Sequence, residues 1–190
     1  QRRAILHDLG IGDEAIVLGY AGRIHAGKGV FVLLEAATAA MAREPRLHCL
    51  WIGDGQDASA LRERTAAGPM ADRHHFLGWI NNVHPYYNAM SMLAFPSMQS
   101  ETFGRVSVEA QATGVPVLAS NLAGIPEALM PEVTGLLLPP GDVMAWRDAI
   151  LKMCDAPIRQ RMGDAARSFV LQHFSASVIV AELVRIFSEG

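Results

Sequence analysis

The sequence predicts an α/β fold: a Rossmann-like, doubly wound, mostly parallel sheet with extra helices at the carboxy-terminal end. Short apolar strands alternate with helical stretches, glycine-bearing loops join them, and beyond Pro139-Pro140-Gly141 only helical patterning remains. At 190 residues and 51% hydrophobic content the chain can fill one α/β core and is short for two. One domain over residues 1–190 is therefore expected.

Gln1 to Gly12 reads as a short amphipathic helix (Ile5, Leu6, Leu9) ended by glycine, and Ile16 to Ala21 as a strand. That strand runs into Gly22-Arg23-Ile24-His25-Ala26-Gly27-Lys28-Gly29, a tight cationic loop, and then into a helix from Val30 to about Arg43. The βα unit repeats: Leu47 to Ile52 is a nearly continuous apolar strand, as in a sheet covered on both faces. Gly53-Asp54-Gly55 then leads to a helix around Ala58 to Ala67. His75 to Leu77 is a short strand, Gly78 to Asn82 a loop and Val83 to Asn88 a short helix. Met92 to Phe95 is a buried strand, a helix follows near Arg105, and Gly114 with Pro116 stops it. Val115 to Ala119 and Thr134 to Leu138 complete the strands, with Pro126 placed for a first helical turn between them. Helices at about Asp142–Cys154, Ala156–Phe174 and Ser177–Ser188 close the chain. In such a sheet ligands bind outside the carboxyl ends of the strands. The loops at 23–29, 53–55, 78–82, 97–104 and 120–124 should all open there.

Among these loops, Ser100-Glu101-Thr102-Phe103-Gly104-Arg105 with Glu109 carries the sharpest signal. A helix start presents unpaired N–H groups and partial positive charge, which suits a phosphate. Glu101 lies in the loop before that start. Glu109 lies one turn past Arg105, about 6 Å along the helix, and its apolar neighbours Val106, Val108 and Ala110 predict partial burial. A phosphate flanked by two carboxylates implies a ligand with hydroxyls at both ends. Arg23 and Lys28 could grip a diphosphate, one by a two-point fork and the other as a movable charge, or could equally be solvated loop cations. Gly53-Asp54-Gly55-Gln56-Asp57-Ala58 fits G-x-G-x-x-A, but it sits on the second βα unit with no clear acidic residue ending the next strand, and a GxG turn is also how such units are ordinarily joined.

Composition removes other classes. The net charge of −3 and pI near 6.2, with no basic cluster, speak against a nucleic-acid partner. Lys28 and Lys152 are the only lysines beside fourteen arginines. The seven histidines show neither HxxxH nor HExxH spacing, no Asp-x-Asp pair is present, and no metal is expected. There is no Gly-x-Ser-x-Gly elbow of a serine hydrolase. Cys49 and Cys154 lie far apart and read as buried thiols. No run approaches ~18 apolar residues, so a cytoplasmic location is expected. Gln1-Arg2-Arg3, without a leading methionine, reads as the start of a piece of a longer protein.

The residues Gly22-Arg23, Lys28-Gly29, Gly53-x-Gly55, Phe76-Leu77-Gly78 and above all Ser100-Glu101-x-Phe103-Gly104 with Glu109 resemble the carboxy-terminal half of a retaining GT-B glycosyltransferase of family 4. That group includes sucrose synthases, phosphatidylinositol mannosyltransferases and lipopolysaccharide glucosyltransferases. The similarity runs from about Leu6 to Phe187, and its most specific element is the Glu-x7-Glu pair.

The resemblance implies a domain that binds a nucleotide-sugar donor, UDP- or GDP-linked, with Arg23 and Lys28 on the diphosphate and Glu101 on the transferred sugar. It implies backbone N–H groups of Phe103, Gly104 and Arg105 on sugar or phosphate, and Glu109 on the ribose. The base would lie by Gly53 and Trp79-Ile80, with Ile80 offering backbone bonds and Gly22 beside the phosphates. No cofactor or metal beyond the donor is implied. The acceptor, a glycan or lipid as in polysaccharide biosynthesis, would belong to an amino-terminal domain absent from this chain. Alone the piece should then bind donor but transfer sugar poorly or not at all. The whole protein could lie at the inner face of a membrane through that domain. Asn82 stands where some guanosine-dependent members carry an acid, and Ala123-Gly124 replaces a common Gly-Gly, so that loop is expected further from the ligand. A nucleotide-sugar epimerase and a non-catalytic nucleotide-binding module remain the alternatives.

Overall fold

The computed structural model describes residues 1–188. In chain order it contains α1 (Arg2–Asp8), β1 (Ile16–Ala21), α2 (Val30–Met41), β2 (Leu47–Ile52), α3 (Ala58–Ala67), β3 (His74–Gly78) and α4 (His84–Tyr87). Then come β4 (Met92–Phe95), α5 (Arg105–Ala112), β5 (Val117–Ser120), β6 (Gly135–Leu138), α6 (Val143–Lys152), α7 (Ala156–His173) and α8 (Ala176–Ser188). The six strands form one sheet in the order β3-β2-β1-β4-β5-β6, every pair parallel. This is the doubly wound arrangement expected. Its strand order reverses between β1 and β4, where Leu18 pairs with Met92, and a crevice opens at such a switch point.

Strand periodicity explains the two cores. Side chains alternate across a strand, so Ile16, Leu18 and Tyr20 of β1 and Cys49 and Trp51 of β2 face α2, α3 and α6. Val17, Ala21, Leu50 and Ile52 face the side that carries Leu6, Tyr87 and Ala110. Helix α6 packs on α2, and α7 packs beside α5, so the extra helices complete the two layers. The β5 ladder begins at Val117 rather than Val115 because Pro116 has no N–H to contribute.

Two sequence expectations need correction. Cys49 is fully buried, but Cys154 is only half-buried and lies just past α6. Burial pushes both thiols up, Cys154 to about 11. Moreover, the chain from Ala156 to Ser188 does contain an 18-residue window of mean hydropathy 1.5, long and apolar enough by composition to cross a membrane. It spans two helices, since Phe174 ends α7 and α8 begins at Ala176. The apolar side chains of α8 from Val178 to Phe187 are exposed.

The histidines set a pH limit on this fold. His74 is 7% exposed and accepts from Trp51 Nε1 through Nδ1 at 3.2 Å. The indole only donates, so the neutral imidazole carries its proton on Nε2, facing Thr38 Oγ1 at 3.4 Å. Protonation would set two N–H groups against each other. Burial, and then the nearby His75 and Arg73, lower His74 from 6.5 to about 4. Burial also lowers His48 and His75, whose rings share one hydrogen bond at 3.0 Å. Below pH 6.5 the unfolded chain therefore binds protons that the folded one refuses. Stability is complete above that pH and falls as pH drops toward 4. His74 alone should remove about 2 kcal/mol by pH 5. Thermal melts at pH 7.5, 6 and 5 check this, and a melting temperature constant over that range would contradict it.

Candidate nucleotide-sugar site

The loops after β1 and β4 flank the crevice, and their backbones are clamped together. Gly29 takes φ +71 at the start of α2, where a Cβ would stand 1.8 Å from the Pro96 carbonyl oxygen. Met98 N donates to Gly27 O at 2.9 Å, and Ser97 Oγ lies 3.4 Å from the same oxygen. The clamp brings Lys28 to Glu101: Nζ donates to Oε1, which also accepts from Ser97 Oγ at 3.0 Å. Their side chains are 29% and 18% exposed, so the pair is partly shielded from water. Gly104 takes φ +87 and lies against the Phe95 ring, where a Cβ would be 2.5 Å away. This turn starts α5 at the crevice.

Two cavities share this edge. The larger, about 670 Å³, is lined by Gly22, Arg23, Gly53, Ile80, Arg105 and Glu109 among others. A second, about 410 Å³, is lined by Lys28, Glu101, Phe103 and Gly104, and shares Gly22, Arg23 and Arg105 with the first. All ten candidate residues therefore line one continuous trough. The loop at 120–124 stands behind it: Gly124 N donates to Glu101 O at 3.1 Å, and Gly124 leaves no room for a Cβ beside Thr102 O. Ala123 keeps φ +50, a conformation that favours glycine, and so the replacement of Gly-Gly leaves that loop packed against the Glu101 segment.

Glu109 differs from expectation. Its side chain is 45% exposed and pairs with Arg105 at 3.4 Å, because the helical period turns Ser107, Ala110 and Gln111 inward instead. Sequence reasoning missed its second partner, Tyr87, whose hydroxyl donates to Glu109 Oε2 at 2.8 Å. Burial, then this bond, hold the Tyr87 hydroxyl far above its ordinary range, so it stays a donor. Tyr20, also missed, donates to Arg23 O at 2.7 Å and fixes that loop from below. Burial and the charge of Glu101 raise its pKa likewise. Nothing local in the sequence marks Tyr20 or Tyr87; both act through the sheet order. Trp79, 73% exposed, closes the far rim and donates to Asn81 Oδ1 at 3.0 Å.

Residues 15–156 match the family model described as glycosyl transferases group 1. The chain belongs to this family. The D-inositol 3-phosphate glycosyltransferase of Saccharomonospora viridis is 34% identical over 202 residues, covering 100% of this chain and 46% of the relative. Anabaena HepE, solved in complex with UDP and glucose, has a similar fold at 25% identity and a TM-score of 0.88, over 98% of this chain and 51% of that one. The carboxy-terminal domain of the group 1 protein LpcC from Francisella tularensis shares the fold at 22% identity and TM-score 0.82, over 93% of this chain and 94% of that one. The chain thus spans about half the length of the curated relatives it matches. Its group 1 fold places the trough at the carboxyl edge of the sheet, over the reversal between β1 and β4.

Proposed function

We propose that this chain is the donor-binding half of a retaining, metal-independent glycosyltransferase that moves a hexose from a nucleoside-diphosphate sugar to a glycan or lipid. The observation that carries the reading is the trough, with the Lys28–Glu101 pair in one cavity, the Tyr87–Glu109 pair in the other, and Arg23 and Arg105 where they join. A donor laid along it has its sugar by Glu101, its diphosphate between Arg23, Lys28 and the first N–H groups of α5, and its ribose by Glu109. The base then lies by Gly53, Ile80 and Trp79. The UDP bound in HepE favours uridine.

The chemistry follows from charge. As the glycosidic bond to the diphosphate breaks, negative charge grows on the leaving phosphate, and fixed cations and helix N–H groups stabilise it more than the ground state. Arg23 and Lys28 line the trough and supply that positive charge from the protein itself. The acceptor attacks from the face the diphosphate leaves. Residues that choose it lie in an amino-terminal half outside this chain, and this piece alone binds donor without efficient transfer.

Replacing Glu109 with alanine tests the ribose end. Charge-assisted bonds to a carboxylate are worth about 1.5–3 kcal/mol, so UDP affinity measured by calorimetry should fall roughly tenfold, while 2′,3′-dideoxy-UDP should bind both proteins alike. Unchanged affinity for UDP would remove the role given to Glu109.

A further inference from the structure

At the opposite, amino-terminal edge of the sheet lies a polar cavity of about 410 Å³. Arginines from three separate segments line it: Arg2 of α1, Arg46 just before β2 and Arg159 in the first turn of α7. Their charges are not equally compensated. Arg46 is held by Glu44 through Nε and Nη2 at 3.0 and 2.9 Å. By contrast, Arg2 donates only to the carbonyls of Ala89 and Ala15, and Arg159 only to those of Met153 and Cys154. Neither has a carboxylate within ion-pair distance among the described residues.

These two guanidinium groups are half-buried, and the charge of Arg159 acts on Arg2. Burial lowers the proton affinity of Arg2 and the charge of Arg159 lowers it further, with Asp13 acting the other way. Burial likewise lowers Arg159, with Cys154 and Asp155 acting the other way and Arg46 adding to the lowering. Holding like charges together in a shielded place is unfavourable unless an anion joins them. Asp13 lines the cavity but pairs with Arg3 at 3.3 Å. Glu14, exposed at the rim, leaves the two arginines in excess. Ser91 Oγ accepts from Val17 N at 3.0 Å, which leaves its proton free to donate inward, and the first turn of α7, capped by the Asp155 carboxylate on Ile158 N at 3.0 Å, borders the same space.

We propose that this cavity is a second anion site, which binds a phosphoryl group between Arg2 and Arg159, on the far side of the sheet from the trough. A guanidinium fork matches two phosphate oxygens, and two such forks from different elements fix a phosphate monoester in orientation. The site is independent of the donor reading. Occupied, it ties α1 to the start of α7.

Inorganic phosphate is the probe, added at constant ionic strength to the chain with 15N-labelled arginine, with UDP also present to occupy the trough. The Nε–Hε signals of Arg2 and Arg159 should shift saturably. Arg159→Gln should weaken phosphate about tenfold with UDP affinity unaltered, and Arg159→Lys, which keeps the charge but not the fork, should give a smaller loss. Should Arg159→Gln fail to fold, the lysine variant carries the comparison. Vesicles of phosphatidylcholine with phosphatidic acid that displace phosphate would identify a lipid headgroup as the source, and vesicles without effect a soluble phosphate ester. Arginine signals that move no more than with chloride would overturn the proposal, as would phosphate affinity that survives both substitutions.

Discussion

Lys28→Ala should lower the affinity of this chain for UDP by roughly thirty- to a hundredfold. A charge-assisted bond to phosphate contributes about 1.5–3 kcal/mol, and the substitution does more than delete it. Glu101, 18% exposed and held through the same oxygen by Ser97, would be left as an unpaired carboxylate facing the diphosphate. Repulsion then adds to the lost attraction. This makes the pair non-additive in a checkable way. Removing Glu101 as well, in Lys28→Ala/Glu101→Ala, should restore part of the lost UDP affinity, because the bare nucleotide has no sugar for Glu101 to hold. A double variant that binds UDP more weakly than Lys28→Ala would contradict this repulsion.

Gly29→Ala should be among the most damaging single methyls in the domain. The residue sits at φ +71, which costs an L side chain about 1–2 kcal/mol, and the new Cβ would meet the Pro96 carbonyl oxygen at 1.8 Å. That oxygen belongs to the backbone leading into Ser97–Glu101, so the clash can be relieved only by parting the two loops that form the trough. A total of about 3 kcal/mol or more is expected, roughly 10 °C in melting temperature for a chain of this size, together with weaker UDP binding. Gly10→Ala is the matched control. It has φ +68 but nothing within 4 Å of its Cβ, so it carries the backbone cost alone and should leave UDP binding untouched. Equal losses for the two variants would contradict the clamp.

Much of this was legible in the residues. Apolar strands at 16–21, 47–52 and 92–95 predicted their elements to the residue, because a sheet covered on both faces leaves little ambiguity about which short runs are strands. The gathering of the ten candidate positions at one edge was also legible, since loops after parallel strands must share it. What depended on tertiary packing was not. Tyr87 reaches Glu109 across twenty-two positions, and Glu109 itself turned outward because Ser107 and Gln111 took the inner face of α5, with Gln111 donating to Ala128 O at 2.7 Å. The apolar window within 156–188 was missed because Glu182, Arg185 and several serines interrupt its run while leaving the window's average high.

The central claim is that the trough over the β1–β4 reversal binds a nucleoside diphosphate, and isothermal titration of the 190-residue chain with UDP, GDP and ADP tests it most directly. The account predicts UDP bound most tightly, with a dissociation constant below about 1 mM, equivalent to at least ~4 kcal/mol, and with UDP affinity reduced in the Glu109→Ala and Lys28→Ala proteins. No heat from any of the three at millimolar concentration, or UDP affinity indifferent to both substitutions, would contradict it.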